Sequence, residues 1–191
     1  MNKSGFIVVI TAPSGSGKTT IYKKILSRRK DLAFSVSFTT RKPREGEQHG
    51  VDYFFVDTPT FEEKKNRGEF IEWARVHGKF YGTEKAQIEN CINDGKICLL
   101  DIDVQGALRI LEVFPDAVSI FIVPPSIEEL ERRLRKRGTE NEEELRLRLL
   151  NARNELAYKK FFKYIVVNDK IRYAIEKIEK IIDQEKGRRN L

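Results

Sequence analysis

The chain has 191 residues, of which 40% are hydrophobic and 34% charged, and it carries a formal net charge of +7. That length supports one substantial core with a smaller inserted lobe. No apolar stretch is long enough to span a bilayer, and Met1 to Gly5 is too short and polar for a secretory leader, so the expected location is cytoplasmic. Cys91 and Cys98 have no histidine nearby and fit neither a zinc cluster nor a disulfide framework; they read as apolar fillers. The positive balance implies an anionic partner. Because the basic residues interleave with acids, as in Glu128 to Arg137, the expectation is a small phosphorylated molecule and no nucleic acid.

In chain order, the apolar run Phe6–Ile10 predicts a strand. It leads into Ala12-Pro13-Ser14-Gly15-Ser16-Gly17-Lys18-Thr19-Thr20 and then into Ile21, Ile25 and Leu26 at helical spacing, which predicts a helix over about 18–29. A strand, a glycine-rich turn and a helix N-terminus in that order aim backbone N–H groups at one anion. Lys18 supplies charge for the β- and γ-phosphates, and the Thr19 hydroxyl suits Mg²⁺. Ala12 stands where the general phosphate-loop pattern has its first glycine, but Gly15 and Gly17 remain at the positions of close phosphate approach.

From Ser35 to Asp94 the pattern changes. Aromatic, alternating runs at Asp52–Val56, Glu69–Val76 and Lys79–Tyr81 predict a small antiparallel sheet, with helices near 60–66 and 83–93. Beyond it, strands at Ile97–Ile102, Val118–Val123 and Tyr164–Val167 precede helices at about 104–113, 126–136 and 171–186, with a further helix at about 141–160 opened by Glu140, Glu142, Glu143 and Glu144. Repeated strand-then-helix units predict an α/β fold with a mainly parallel sheet covered on both faces. Asp101 ends an apolar strand where open α/β sheets bind ligands, and it is the candidate second metal-holding residue beside Thr19. Arg41 and Arg44, on either side of Pro43, can fork onto one phosphate.

These motifs, together with Ser35 to Arg44, Gly46-Glu47, Gly50 to Tyr53, Phe70 to Trp73, Tyr81-Gly82-Thr83, Asp101 to Gly106 and Arg137-Gly138-Thr139, resemble guanylate kinase in order from about residue 5 to 185. The resemblance implies a P-loop nucleoside monophosphate kinase fold in a single domain. Its core would cover about 1–34, 95–136 and 160–191, with a mixed α+β GMP-binding lobe at about 35–94 and a helical lid at about 137–159. The implied reaction is Mg²⁺-dependent transfer of the ATP γ-phosphate to GMP, which yields ADP and GDP. No membrane or obligate protein partner is expected.

Such a transfer needs no catalytic histidine, because the attacking GMP oxygen is already ionised. Neither His49 nor His77 sits in a proton-transfer motif, and both read as surface or lobe-packing residues. By resemblance, Arg41 and Arg44 hold the GMP phosphate with the Tyr53 and Tyr81 hydroxyls. Glu72 accepts the two adjacent N–H donors that distinguish guanine from adenine, Ser37 and Thr83 meet the base's oxygen edge, and Asp103 lies near its amine. Many guanylate kinases carry Ser at the Thr83 position, and Thr keeps the hydroxyl. Arg133, Arg137 and Arg148 are the lid arginines, with Arg133 and Asn168 on the ATP side and Lys18, Arg41, Arg137 and Arg148 acting on the transferring group. Two other readings stand beside this one: a guanylate-kinase-like interaction module for phosphorylated peptides, which typically has a damaged phosphate loop, and a related kinase acting on a phosphorylated ribose, against which Glu72 and Asp103 argue.

Overall fold

The computed structural model describes residues 5–76, 78–137 and 141–189, with Arg137 described by its backbone alone. In chain order the elements are β1 (Phe6–Thr11), α1 (Lys18–Arg28), β2 (Leu32–Ser35), β3 (Phe38–Thr39), β4 (Phe54–Phe55), α2 (Thr58–Asn66), β5 (Phe70–Val76), β6 (Lys79–Glu84) and α3 (Lys85–Asn93), followed by β7 (Ile97–Asp101), α4 (Val104–Val113), β8 (Val118–Val123), α5 (Ile127–Arg137), α6 (Glu142–Leu156), β9 (Tyr164–Val167) and α7 (Ile171–Arg188).

The larger sheet runs β2-β7-β1-β8-β9 with every neighbouring pair parallel. Its central strand β1 is buried along its whole length, as a strand covered on both faces must be. Successive side chains point to opposite faces. Phe6, Val8 and Ile10 therefore pack with Ile21 and Ile25 of α1 and with Ile175, Ile178 and Ile182 of α7. Ile7 and Val9 pack with Ile88 of α3 and with Val104, Ala107 and Ile110 of α4. Cys91 and Cys98 lie buried in this second layer. No helix among the described residues is long and apolar enough to cross a membrane.

The smaller sheet has the order β4-β3-β6-β5. It is mixed, not purely antiparallel as the alternation suggests, because β3 pairs with β4 in parallel while β6 runs antiparallel to both β3 and β5. Its core is aromatic: Phe61 of α2 is fully buried, with its ring stacked 4.6 Å from Phe70 and 5.3 Å from Phe80. Asp57 caps α2 by accepting the Thr60 N–H, and Asp103 caps α4 by accepting that of Gly106. A reciprocal capping box between Asn141 and Glu144 opens α6, and the acidic run follows it.

Two short strands were not anticipated, and one helix end is corrected. The edge strand β2 carries no clear strand signal, since Leu32–Ser35 follows a charged stretch and gains its order by parallel pairing with β7. The two-residue β3 is too short to show a period. The helix expected to 160 ends at Leu156 and tightens into a 3₁₀ turn at Ala157–Phe161. His77 and Gly138 to Glu140, read above as a surface or lobe-packing residue and as part of the lid, lie outside the described residues.

Replacing Phe61 with Ala removes the ring on which the small sheet is built. Urea unfolding of the Phe61→Ala variant should show a loss of about 3–5 kcal/mol. A loss below about 1 kcal/mol would mean that the aromatic cluster is not what holds this sheet.

Candidate active site

The turn after β1 is shaped by two glycines. Gly15 and Gly17 have φ of 87° and 88°, a left-handed conformation that side chains resist. Gly17 also has no room for a side chain, because a Cβ there would lie 2.5 Å from Asn168 Nδ2. The Asn168 amide donates to the Ser16 carbonyl at 2.7 Å, and its backbone N–H donates to Val123 at 2.8 Å. Asn168 is thus buried beneath the loop and braces it, a role its expected place beside adenine did not reveal. α1 begins directly after Gly17 with no side-chain cap, which leaves its first N–H groups to an anion. Lys18 Nζ lies 2.6 Å from Asp101 Oδ1 and donates to the Ile102 carbonyl at 2.8 Å, so the lysine is held at the carboxyl end of β7.

Across the cleft stands the smaller sheet. Glu72 on β5 is 5% exposed, and the Thr83 hydroxyl on the paired strand β6 donates to its Oε1 at 2.5 Å. Burial pushes the Glu72 carboxyl up to about 7; the Thr83 hydrogen bond opposes this and the charge of Asp103 adds to it. Thr83 is fully buried, with its hydroxyl on the Glu72 carboxylate. Arg41 is gripped by Glu47 through two hydrogen bonds of 2.8 and 2.9 Å, and its guanidinium lies 5.3 Å from the centre of the Tyr53 ring. Tyr53 and Tyr81 meet edge to face at 6.0 Å, and burial raises the Tyr53 phenol. Glu47 also accepts the Arg44 backbone N–H at 2.7 Å, which fixes the turn while the Arg44 side chain stays exposed at the rim.

One cleft of about 290 Å³ joins these walls. The whole stretch from Ala12 to Thr20 lines it, with Ser37, Arg41, Arg44, Tyr53, Glu72, Tyr81, Asp101 and Asp103. Arg133 lies on the other side of the phosphate loop, where it donates to the Asn168 carbonyl at 3.0 Å. Arg148, half-buried on α6, is not among the lining residues, and the Arg137 side chain lies outside the description. Glu155, at the end of α6, does line the cleft. Its carboxyl lies near Ser14 and Lys18, its Oε2 is buried without a hydrogen-bond partner, and burial raises its pKa. In a helix so rich in charges nothing local marked that residue.

A strand-loop-helix phosphate cradle faces a buried carboxylate flanked by arginine and tyrosines, and residues 4–185 match the family model for guanylate kinase. The chain belongs to the guanylate kinase family. The guanylate kinase of Aromatoleum aromaticum is 46% identical over 178 residues, covering 93% of this chain and 87% of that one. That of Thermotoga maritima is 46% identical over 184 residues, covering 96% and 89%. The crystal structure of guanylate kinase from Anaplasma phagocytophilum superposes with a TM-score of 0.81 at 37% identity, covering 96% of this chain and 87% of that one.

For a guanylate kinase the buried Glu72 carries a stability cost with a definite pH dependence. In the unfolded chain its carboxyl ionises in the ordinary range near 4.5, whereas in the fold it does so at about 7. The native state is therefore favoured below the lower value and loses that advantage as pH rises through the upper one. Glu72→Gln should stabilise the ligand-free protein by roughly 3 kcal/mol at pH 8, with the gain vanishing toward pH 4.5. Unfolding curves at several pH values check this. A gain that does not change with pH would contradict the buried ionisation.

Proposed function

We propose that this cleft transfers the γ-phosphate of ATP to GMP, yielding ADP and GDP, with the phosphate loop holding the donor and the smaller sheet holding the acceptor. The observation that carries the reading is the single cleft in which Lys18 and Glu72 stand on facing walls. An acceptor phosphate oxygen of GMP attacks the γ-phosphorus while the bond to the β-bridging oxygen breaks, and ADP leaves. No general base is required, since the second ionisation of a phosphate monoester lies near 6. The site's task is to align two mutually repelling anions and exclude water.

On the donor side, the backbone N–H groups of Ser14 to Thr19 and the start of α1 bind the phosphates. Lys18 leaves its contacts with Asp101 and the Ile102 carbonyl to follow charge on the transferring group. On the acceptor side, Arg41, pre-oriented by Glu47, binds the GMP phosphate with Arg44 and the hydroxyls of Tyr53 and Tyr81. Glu72, with Asp103 and Ser37 nearby, receives the guanine edge, and Thr83 keeps the carboxylate in place. Residues 137–159 act as a lid, with Arg137 and Arg148 reaching the transferring phosphoryl group and Arg133 on the adenine side. Closure keeps water from accepting the phosphate.

The donor set of this cleft fits a hard cation. Thr19 and Asp101 offer a hydroxyl and a carboxylate, and no group of three or more His, Cys, Asp or Glu residues that could hold a metal occurs among the described residues, so further ligands would come from phosphates and water. Thr19 and Asp101 would hold Mg²⁺, which when bound neutralises the β- and γ-phosphates. The setting is cytoplasmic, with ATP and GMP as small-molecule substrates and no nucleic acid, membrane or obligate protein partner.

A coupled assay should detect ADP formation from ATP, Mg²⁺ and GMP, and Lys18→Ala should lower kcat by roughly 10²–10³-fold with little change in melting temperature. Near-normal turnover in that variant would remove the loop from the donor site.

A further inference from the structure

Gly106 sits in the first turn of α4, buried where the two sheets meet. A Cβ at that position would stand 2.7 Å from Glu72 Oε2, nearer than real Cβ atoms approach, and a tight 3.1 Å from its Cδ. Glycine is among the poorest helix formers, and Gly106 is not among the glycines whose positive φ excludes side chains. The backbone there does not call for glycine. The neighbouring carboxylate does. Glu72 is thus held on both sides: the Thr83 hydroxyl donates to Oε1, and the bare turn of α4 closes behind Oε2. The Gly106 N–H itself is occupied by Asp103 Oδ1 at 2.8 Å, so the contact with Glu72 is one of shape.

We propose that Gly106 is a specificity-determining position, whose missing side chain lets the Glu72 carboxylate seat against α4 in the orientation that accepts two adjacent N–H donors from the acceptor base. The proposal rests on the reading of Glu72 as the guanine acceptor. Its physical content is an asymmetry. The atoms a new methyl group would meet are the far end of a flexible side chain, so the fold absorbs the methyl by turning the carboxylate aside. Recognition of paired donors has no such freedom, because it needs both oxygens in the plane of the base. A change that favours the helix therefore weakens discrimination, as is common where a binding site uses a locally unfavourable residue.

The test compares wild type with Gly106→Ala in thermal melting, in KM for ATP, and in kcat/KM for GMP against inosine monophosphate, whose base keeps the ring N–H and lacks the exocyclic amine. The expected result is a melting temperature equal to or above wild type, an unchanged KM for ATP, a raised KM for GMP, and a GMP-to-inosine-monophosphate ratio lowered roughly tenfold or more. Calorimetric titration with GMP alone should show the same weakening. A variant that retains the full ratio, that loses ATP and GMP binding in parallel, or that does not fold would overturn the proposal, since each outcome denies that only the carboxylate gives way. Wild-type enzyme with no preference for GMP would instead remove the reading of Glu72 on which the proposal stands, so the two failures are told apart.

Discussion

A carboxylate taken out of water is costly unless something replaces its hydration. Glu72 is such a group, almost fully buried, with one oxygen on the Thr83 hydroxyl and the other facing the glycine turn of α4. Much of the architecture around the cleft can be understood from that constraint. β5 must deliver the carboxylate, β6 must deliver the hydroxyl beside it, and α4 must approach without a side chain. The junction between the two sheets is tied where these three elements meet, and Arg109 of α4 donates to the Trp73 carbonyl next to Glu72. On the proposed reading of Glu72, a ligand that presents two donors in one plane restores what burial removed, and the group that is costly in the empty protein selects its occupant.

The opposite wall follows a different logic. There the charge is positive and delocalised over backbone N–H groups and Lys18, and acidic side chains stand close by as place-holders. Lys18 pairs there with Asp101, and on the smaller-sheet side Arg41 pairs with Glu47 in the same way. Each of these pairs keeps a cationic group oriented before an anion arrives, which lowers the reorganisation needed on binding. The Lys23–Asp52 ion pair extends the pattern, since it links α1 to the segment that leads into β4 and so connects the phosphate-binding helix to the smaller sheet.

How much of this was legible follows from the range of each interaction. The phosphate loop is local: its glycines, lysine and threonine are contiguous, and their order alone indicates the chemistry. The buried parallel strands announced themselves as apolar runs, and Glu72 entered by resemblance through the motif Phe70 to Trp73. What stayed hidden depends on contacts distant in the chain. β2 is a strand because β7 lies beside it. Asn168 braces a loop 152 residues earlier in the chain, where asparagine chemistry gives no hint of the partner. The hydrogen bond from Thr83 to Glu72 depends on the pairing of β5 with β6, which the sequence does not display. Gly106 could have drawn notice as a glycine inside an amphipathic helix, but the reason for it sits on another sheet.

The central claim is that Glu72 must be ionised to receive its ligand, although burial holds its carboxyl near neutrality in the empty protein. Proton release on GMP binding tests this most directly, measured by calorimetry in buffers of different ionisation enthalpy for wild type and Glu72→Gln. With the carboxyl titrating at about 7, wild type should release about half a proton more than the variant at pH 7, and the difference should fade by about pH 8.5. The phosphate of GMP contributes equally to both proteins and cancels. Equal release from the two proteins across that range, or net uptake by wild type, would contradict the account.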